Sequence, residues 1–510
     1  MIIQPQQPPK NLNVEKNSAL DVEIILQANE KLTHENSELK KQVEWFKQQF
    51  KLANQRHFGK STETTSGLSL TLFDEVESLE PTEDVTANET ITYSRKKKSV
   101  GRHFDISKFP REQLIHDLSD EEKICACGAE LEKVGQDESI QIDHIPETFK
   151  VIEHVCLKYS CRCCKTIKSA KKPESPLPKC MATSGLIAEV IIKKYEQHLP
   201  LYRQSKIFER HGAVIPDNTL GNWVMGAAEV LAPLGEAVRE QLPKVHVLQA
   251  DETKVQLLKP DKSGYMWGYH SCDPGNRFIL FEFNLSRSAE VVNTRLEEFT
   301  GILQTDGYSG YSALRKKSEI ISLGCWDHAR RKFTDVIKVT GNKKEGKALG
   351  IISLINQLYK VEQETKEMKF FERGAYRQEK AKPVLDKIEQ RLKEINAPPK
   401  SLLGEAVTYA LNQWSYLIEY VNHGEAEISN CWIENQIRPF ALGRRNWLFA
   451  GNPESANKAA LLYSLIQSCK LNDINARVYL EYVLNQVHRM RRGEVEPEKL
   501  LPQFIDKNLL

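Results

Sequence analysis

The sequence predicts a multidomain α/β protein, and three observations carry this prediction. Between residues 240 and 340, apolar runs of strand length alternate with segments of helical periodicity. A long stretch with helical apolar stripes follows at 341–425, and more helices follow it. The chain has 510 residues, too many for a single hydrophobic core, so several domains are expected.

The segment 240–340 and the chain after it predict a ribonuclease-H-like core with a helical insertion. Three antiparallel strands followed by alternating helix and strand describe such a core. The predicted elements are strands Val245–Ala250, Tyr265–Tyr269 and Phe278–Phe283, helix Ala289–Phe299, strand Gly301–Thr305, a short helix, strand Glu319–Gly324 and helix Asp327–Val336. Residues 341–425 are the insertion, and residues 426–510 complete the core with helices.

Three acidic residues, Asp251, Asp306 and Glu434, are the candidate catalytic groups. Asp251 and Asp306 each end a predicted buried strand, and Glu434 lies on a predicted helix. Three convergent carboxylates repel one another unless a cation lies between them, and oxygen-only ligands favour Mg²⁺. Two such ions can hold the attacking and leaving oxygens of a phosphodiester, which indicates DNA strand-transfer chemistry. Taken singly, each acid could instead be a strand-end cap, a turn residue or a solvated helix residue.

Bulk composition allows a DNA-binding enzyme without requiring one. Charged residues make up 27% of the chain and its net charge is +2, but the charge is unevenly distributed. Seven Lys or Arg and one Glu lie between Cys156 and Cys180, while Asp74–Glu89 holds seven acids and no base. With no bilayer-length apolar run and no signal peptide, we expect a cytoplasmic, nucleoid-associated protein with no membrane partner.

The N-terminal part predicts a disordered tail at 1–14, a coiled coil at 15–58 and a flexible linker at 59–105. The heptad spacing of 3.5 residues favours a self-associating coil, and hence a homodimer, over one amphipathic helix packed on its own chain. The a positions are Val22, Asn29, Asn36, Val43 and Phe50, and the d positions are Ile25, Leu32, Leu39 and Phe46.

A cysteine-bearing module is predicted at 106–178. Reduced cytoplasmic cysteines that cluster are better explained as metal ligands than as disulfides. Cys125, Cys127, Cys161 and Cys164 form two pairs suited to a structural Zn²⁺ site, with Cys156 and Cys163 as substitutes. Unliganded, scattered cysteines are the alternative.

Residues 180–230 predict three short helices resembling a helix-turn-helix. The predicted helices are Gly185–Gln197, Leu199–His211 and one opening at Asn218–Trp223, with bases at Lys193, Lys194, Arg203, Lys206 and Arg210. A three-helix connector without DNA contacts has the same pattern.

Four longer strings resemble the insertion-sequence-66 family of bacterial transposases over almost the whole chain. These strings are His198–Gln204, Leu303–Tyr311, Gly324–Phe333 and Ile437–Gly451. The resemblance implies a DDE transposase with a zipper, a zinc segment and a catalytic domain interrupted by helices. It implies that Asp251, Asp306 and Glu434 bind two Mg²⁺ or Mn²⁺ ions, and that the partners are terminal inverted repeats, target DNA and small accessory proteins.

The same motifs suggest DNA contacts and contain two departures from the family. His328 is expected to face the active site and order a phosphate, although a core histidine fits the pattern too. The other expected DNA contacts are Arg330, Arg331, Arg438, Arg444 and Arg445. Trp447 either stacks on an unpaired base or packs with Leu448 and Phe449. The family often has Asp-Asn-Asn where this chain has Ser429-Asn430-Cys431, and Ala where it has Asp327.

Two alternative functions remain open at this point. One is a domesticated, catalytically idle DNA-binding protein, and the other is a structure-selective nuclease on the same core. The intact triad argues against the first, and the paired N-terminal recognition modules argue against the second.

Overall fold

The computed structural model describes residues 148–160, 167–169, 174–258, 263–340 and 346–510. It also describes helical residues at 29–33, 35–37, 39–40, 42–43 and 46–47. The predicted linker at 59–105, most of the predicted zinc module and all four predicted zinc ligands lie outside the described residues.

A five-stranded mixed sheet forms the centre of the described chain. Its strands are β3 (Val247–Gln256), β4 (Ser263–Ser271), β5 (Ile279–Asn284), β6 (Gly301–Gln304) and β7 (Ile320–Leu323), in the spatial order β5-β4-β3-β6-β7. β3, β4 and β5 pair antiparallel, while β6 pairs parallel with β3, and β7 pairs parallel with β6. A separate short hairpin joins β1 (Lys158–Ser160) to β2 (Ile167–Ser169).

The helices of the described residues form groups along the chain. The first group is α1 (Ser184–Tyr195), α2 (Leu201–Arg210), α3 (Asp217–Val230) and α4 (Ala232–Arg239), followed between the strands by α5 (Ala289–Arg295). After the sheet come α6 (Trp326–Thr340), α7 (Lys347–Glu364), α8 (Phe370–Lys380), α9 (Lys382–Glu394), α10 (Leu402–Asn412) and α11 (Trp414–Ile418). The chain closes with α12 (Cys431–Trp447), α13 (Pro453–Leu471) and α14 (Ala476–Arg491). Between residues 184 and 491 the predicted strands and helices are therefore confirmed, with ends shifted by a few residues.

Helix α13 covers the edge strand β5. The backbone N–H of Ile279 donates to Ser468 Oγ at 3.0 Å, and that of Phe281 donates to Ser464 Oγ at 2.8 Å. Both serines are buried, so the helix supplies acceptors to a strand edge that would otherwise remain open to pairing.

Helices α1 to α3 belong to the same hydrophobic core as the sheet. Ile187, Leu220 and Val224 are buried in one cluster with residues of α13 and α14. Ser184 Oγ donates to Asn485 Oδ1 at 2.6 Å, which ties α1 to the C-terminal helix. The helices predicted at 180–230 therefore depend on contacts with the end of the chain.

The insertion builds a second core with α6. Trp326 and Phe333 of α6 are buried in one cluster with Ile352 of α7 and Ile388 of α9. This cluster also reaches the sheet, through buried apolar residues of β6 and β7. Among the described residues, no helix has the length and apolar character needed to cross a bilayer.

Candidate active site

Two strands carry the same four-residue pattern, and the sheet sets them side by side. Leu248-Gln249-Ala250-Asp251 lies in β3, and Leu303-Gln304-Thr305-Asp306 runs out of the end of β6. In the parallel register Gln249 faces Gln304, and Gln249 Nε2 donates to Gln304 Oε1 at 2.8 Å. Alternate residues share a face of a strand, so Asp251 lies on the same face of β3 as Gln249. Asp306 likewise follows Gln304 by two residues, just beyond the end of the neighbouring strand β6.

The glutamine pair also holds the start of α12. The backbone N–H of Ile433 donates to Gln249 Oε1 at 3.0 Å, and Gln249 Nε2 donates to the Ser429 carbonyl at 3.1 Å. Gln304 Nε2 donates to the carbonyls of Gly324 and Glu427 at 3.2 and 2.8 Å. Both glutamines are fully buried. Their hydrogen bonds link β3 and β6 to the start of α12, the helix that carries Glu434.

Close packing of α12 on the sheet requires a glycine in β4. Gly268 pairs with Asp251 across the antiparallel ladder. A Cβ at this position would come within 2.9 Å of Ile433 Cδ1, the residue next to Glu434. A larger residue there would require the Ile433 side chain, or the helix that carries it, to shift.

The three predicted carboxylates interact electrostatically. Burial raises the pKa of Asp251 well above its ordinary value, and the negative charges of Asp306, Glu252 and Glu434 raise it further. The backbone N–H of Glu252 opposes this by donating to Asp251 Oδ1 at 2.8 Å. Asp251 therefore interacts electrostatically with Asp306 and Glu434, which come from two other elements.

A second buried acid beside Asp251 organises the opposite side of this site. Glu252 has a side chain that is only 2% exposed, and Arg287 Nη2 lies 2.5 Å from its Oε1. Burial raises the pKa of Glu252, and the hydrogen bond from Arg287 lowers it. The Arg287 guanidinium lies 3.9 Å from the ring centre of Tyr308, whose backbone N–H donates to Asp306 Oδ1 at 2.9 Å. Arg287 therefore lies in the same contact network as the turn that carries Asp306.

Glu434 faces two basic residues of α6. His328 Nδ1 is 3.6 Å from Glu434 Oε1, and Arg331 Nη2 is 3.4 Å from Glu434 Oε2. Burial lowers the pKa of His328, while the charge of Glu434 raises it. The structure therefore gives His328 the orientation toward the carboxylates that the sequence predicts.

Asp327, where the family often has Ala, is buried and bonded within the chain. The hydroxyl of Tyr359 in α7 donates to Asp327 Oδ1. The departure thus comes with a partner from the insertion, and Asp327 links α6 to α7. Nothing in the structure explains the sequence Ser429-Asn430-Cys431 in the other departure.

The predicted DNA-contacting arginines fall into different environments. Arg330 is 2% exposed and its Nε donates to Asn356 Oδ1 at 3.2 Å, so its position does not fit a phosphate contact. Arg444 is half-buried and donates to Thr253 Oγ1 at 2.8 Å, whereas Arg445 is exposed. Arg438 is half-buried on the same helix.

Trp447 is half-buried and packs against the hydrophobic core. Its ring lies 5.5 Å from that of Phe440 in an edge-to-face contact, while Leu448 and Phe449 are exposed. The packing interpretation of Trp447 fits this position, but its partner is Phe440 and not the two residues expected from the sequence.

The chemistry of the donor set fits a hard divalent cation. Asp251, Asp306 and Glu434 offer only oxygen atoms, and burial, together with repulsion from the other carboxylates, raises the pKa of Asp251. A divalent ion among them would relieve that repulsion, and Mg²⁺ prefers such ligands. The residues present therefore suit the ion that the sequence predicts.

Gln249, Gln304 and Arg287 were not predicted from the sequence as site residues. The repeated Leu-Gln-x-Asp pattern was the available signal, because a polar residue in a buried strand needs a partner. For Arg287 the sequence holds no comparable signal, since its partner Glu252 is distant along the chain.

Replacing Gln249 by Leu is expected to lower turnover more than DNA affinity. The change leaves the Ile433 N–H and the Ser429 carbonyl without partners, at about 1–3 kcal/mol each, and frees the start of α12. Cleavage rates and DNA dissociation constants measured separately check this result. Gln256→Leu, an exposed glutamine at the end of β3, is the matched control. Equal losses of turnover in both variants would contradict the positioning role.

Comparison with known proteins identifies the class to which this fold and site belong. A family profile described as "Transposase IS66 family" matches residues 179–458, more than half of the chain. A second profile, "zinc-finger binding domain of transposase IS66", matches residues 122–165. The mixed α/β fold, with its five-stranded sheet, is consistent with the DDE transposase domain of this family.

The chain belongs to the IS66 transposase family. Two relatives come from Sinorhizobium fredii and are both described as uncharacterized. The protein y4jD is 30% identical over 80% of this chain and 83% of its own length. The protein y4hP is 31% identical over 71% of this chain and 70% of its own length.

Proposed function

We propose that this protein is a DNA transposase that cuts and joins DNA strands with Asp251, Asp306 and Glu434 as its catalytic residues. The observation that carries this proposal is the joining of β3, β6 and α12 by the buried Gln249–Gln304 pair. It links the three elements that carry these carboxylates, and the strand order β5-β4-β3-β6-β7 supports the proposed ribonuclease-H-like core. Membership of the transposase family supports the same activity.

The three carboxylates would hold two Mg²⁺ or Mn²⁺ ions. When bound, these ions supply charge neutralisation at the phosphodiester and activation of the attacking hydroxyl. The chain supplies the geometry: Gln249 and Gln304 fix the two strands, and Gly268 lets α12 approach. Tyr308 holds the Asp306 side chain through its backbone N–H. Catalysis is then positioning and electrostatic stabilisation without a covalent protein intermediate.

Phosphate contacts are proposed for basic side chains around the carboxylates. Arg287 and Arg331 have side chains 44% and 40% exposed beside the acids, and His328 faces Glu434. Arg438, Arg444 and Arg445 continue this basic surface along α12. Arg330 is omitted because it is buried.

Changing Arg445 to Ala is expected to weaken binding to all DNA sequences alike. Each lost phosphate contact reduces the slope of log affinity against log salt by about 1. Titrations of labelled DNA at several salt concentrations measure this slope, and Arg445→Lys should restore it. An unchanged slope in the Ala variant would remove Arg445 from the interface.

Recognition of the terminal inverted repeats is proposed for the zinc segment and helices α2 and α3. Arg203, Lys206 and Arg210 are exposed on α2, whereas Lys193 of α1 is buried. Zn²⁺ on Cys125, Cys127, Cys161 and Cys164 would be structural. Metal analysis of purified protein tests this assignment, since a zinc-free folded chain would exclude it.

The N-terminal helix is proposed to join two copies into a dimer. Leu32, Leu39 and Phe46, all predicted d positions, are 54%, 57% and 63% exposed. Replacing Leu32 and Leu39 by Asp is expected to yield a monomer in light-scattering measurements, because a charge cannot be buried in the seam. A variant that remains dimeric would locate the dimer contact elsewhere.

Incubation of the full chain with Mg²⁺, labelled terminal DNA and target DNA separates the candidate functions. We expect cleaved ends that become joined to the target. Cutting without joining would favour the structure-selective nuclease. Binding without cutting would favour the domesticated binding protein, once the accessory proteins of the same element have been added. Such a transposase would act in the bacterial cytoplasm on nucleoid DNA.

A further inference from the structure

Cys325 and His328 lie at the start of α6 on the same side as Glu434. Cys325 immediately precedes the helix, and His328 follows three residues later, a spacing that puts both on one face. The ligand atoms of Cys325, His328 and Glu434 all lie within 4.8 Å of one another. Among the described residues this is the one group of three such side chains that meets this distance, so the carboxylates of Asp251, Asp306 and Glu434 do not all approach one another this closely.

Two polar atoms of this cluster lack ordinary partners. His328 Nδ1 and Glu434 Oε1 are inaccessible to solvent and neither makes a hydrogen bond. They face each other at 3.6 Å, beyond hydrogen-bond distance. Buried polar atoms without a partner are uncommon, and in native structures they often mark a missing water or ion.

The surrounding backbone holds the cluster firmly. Trp326, next to Cys325, is buried, and its Nε1 donates to the Leu417 carbonyl at 2.8 Å. The Gly324 carbonyl accepts from Gln304, and the Gly324 N–H donates to the Tyr416 carbonyl at 2.9 Å. Cys325 is therefore fixed between the active-site glutamine pair and the insertion.

We propose that Cys325, His328 and Glu434 form a binding site for a thiophilic transition-metal ion of the Zn²⁺ class. A thiolate, an imidazole and a carboxylate are ligands that Zn²⁺ accepts, whereas Mg²⁺ takes oxygen ligands. Binding displaces the thiol proton. Three protein ligands leave a fourth position open for water.

The site shares Glu434 with the proposed catalytic set, so the two metals compete for that side chain. Zn²⁺ held by Cys325 and His328 would withdraw Glu434 from the position that Mg²⁺ needs. This regulatory consequence rests on the proposed function, but the binding site itself does not. DNA cleavage by the protein would then be inhibited by Zn²⁺ even when the Mg²⁺ concentration is unchanged.

Cobalt binding to the full-length protein, supplied beforehand with only the one equivalent of Zn²⁺ that the four-cysteine site takes, tests the cluster without measuring activity. Co²⁺ gives a thiolate charge-transfer band, and it does not displace zinc readily from a four-cysteine site, since Zn²⁺ binds more tightly. We expect wild type to take up one more Co²⁺ than Cys325→Ser, with that band absent from the variant. Glu434→Gln should weaken uptake by at least about tenfold. Cys180→Ser, a partly buried cysteine outside the cluster, should behave as wild type.

Equal cobalt stoichiometry and an equal thiolate band in wild type and Cys325→Ser would overturn the proposal. A zinc titration of Mg²⁺-dependent cleavage then tests competition, with Cys325→Ser expected to resist inhibition. Equal inhibition of both proteins would remove the regulatory consequence. If wild type does not cut DNA at all, the proposed function fails, while the cobalt result still decides the metal site.

Discussion

Replacing Asp306 by Asn is expected to abolish strand cleavage while leaving DNA binding intact, and Asp251→Asn and Glu434→Gln should do the same. Loss of residues that merely support a metal ligand costs about 10–100-fold, so loss of a direct ligand should cost at least about 100-fold. The amides preserve side-chain volume, and each removes one negative charge from a cluster in which burial, and then repulsion, raise the pKa of Asp251. Folding should therefore be retained.

Cleavage assays on the three variants and on wild type, with binding measured in parallel, check this prediction. Glu405→Gln, which changes an acid in the first turn of α10, is a matched control outside the site. Residual cutting in all three variants would mean that other carboxylates hold the metal.

Replacing Arg377 by Met is expected to destabilise the protein by about 3–5 kcal/mol. Arg377 is fully buried, and its Nη2 lies 2.6 Å from Glu362 Oε2. It also donates to the carbonyls of Tyr420, His423 and Ala426 at 3.1, 2.7 and 2.9 Å. The variant leaves these carbonyls without their donor and removes one of the two arginines that pair with Glu362.

Thermal unfolding measures this loss, with a midpoint expected to fall by several degrees. Arg391→Met, at an exposed position of α9, should change stability by no more than about 0.5 kcal/mol. Similar midpoints for both variants would show that the buried network does not stabilise the insertion.

The same network reaches the active site. Arg373 Nη2 lies 3.0 Å from Glu427 Oε2 and 2.9 Å from Glu362 Oε2, and the Glu427 carbonyl accepts from Gln304. The insertion thus braces the segment that leads into α12. The helical insertion between Asp306 and Glu434 therefore supports the segment that leads to Glu434, a proposed catalytic residue.

The order of strands and helices could be predicted because each element carries its own apolar pattern. Local periodicity shows where β3, β6 and α12 occur, and an acid at the end of each suggests a shared site. The strand ends shifted by a few residues because termini depend on pairing. Asp251, for example, lies inside β3, since that strand extends to Gln256 against β4.

Contacts between distant segments could not be predicted in the same way. Arg477 of α14 donates to Glu189 of α1 at 2.9 Å, so the helices at 180–230 share a core with the end of the chain. The burial of Arg330 follows from packing of α6 on the insertion. In the linear sequence Arg330 and Arg331 are equivalent, and only the fold distinguishes the buried residue from the half-exposed one.

Direct binding of Mn²⁺ to the full chain, without DNA, tests most simply whether Asp251, Asp306 and Glu434 form one metal site. Electron paramagnetic resonance titrations report free Mn²⁺, and Mg²⁺ should compete for the same site. We predict binding by wild type and by Cys325→Ser, and greatly weakened binding by Asp251→Asn, Asp306→Asn and Glu434→Gln. Unaltered Mn²⁺ binding in all three carboxylate variants would contradict the account.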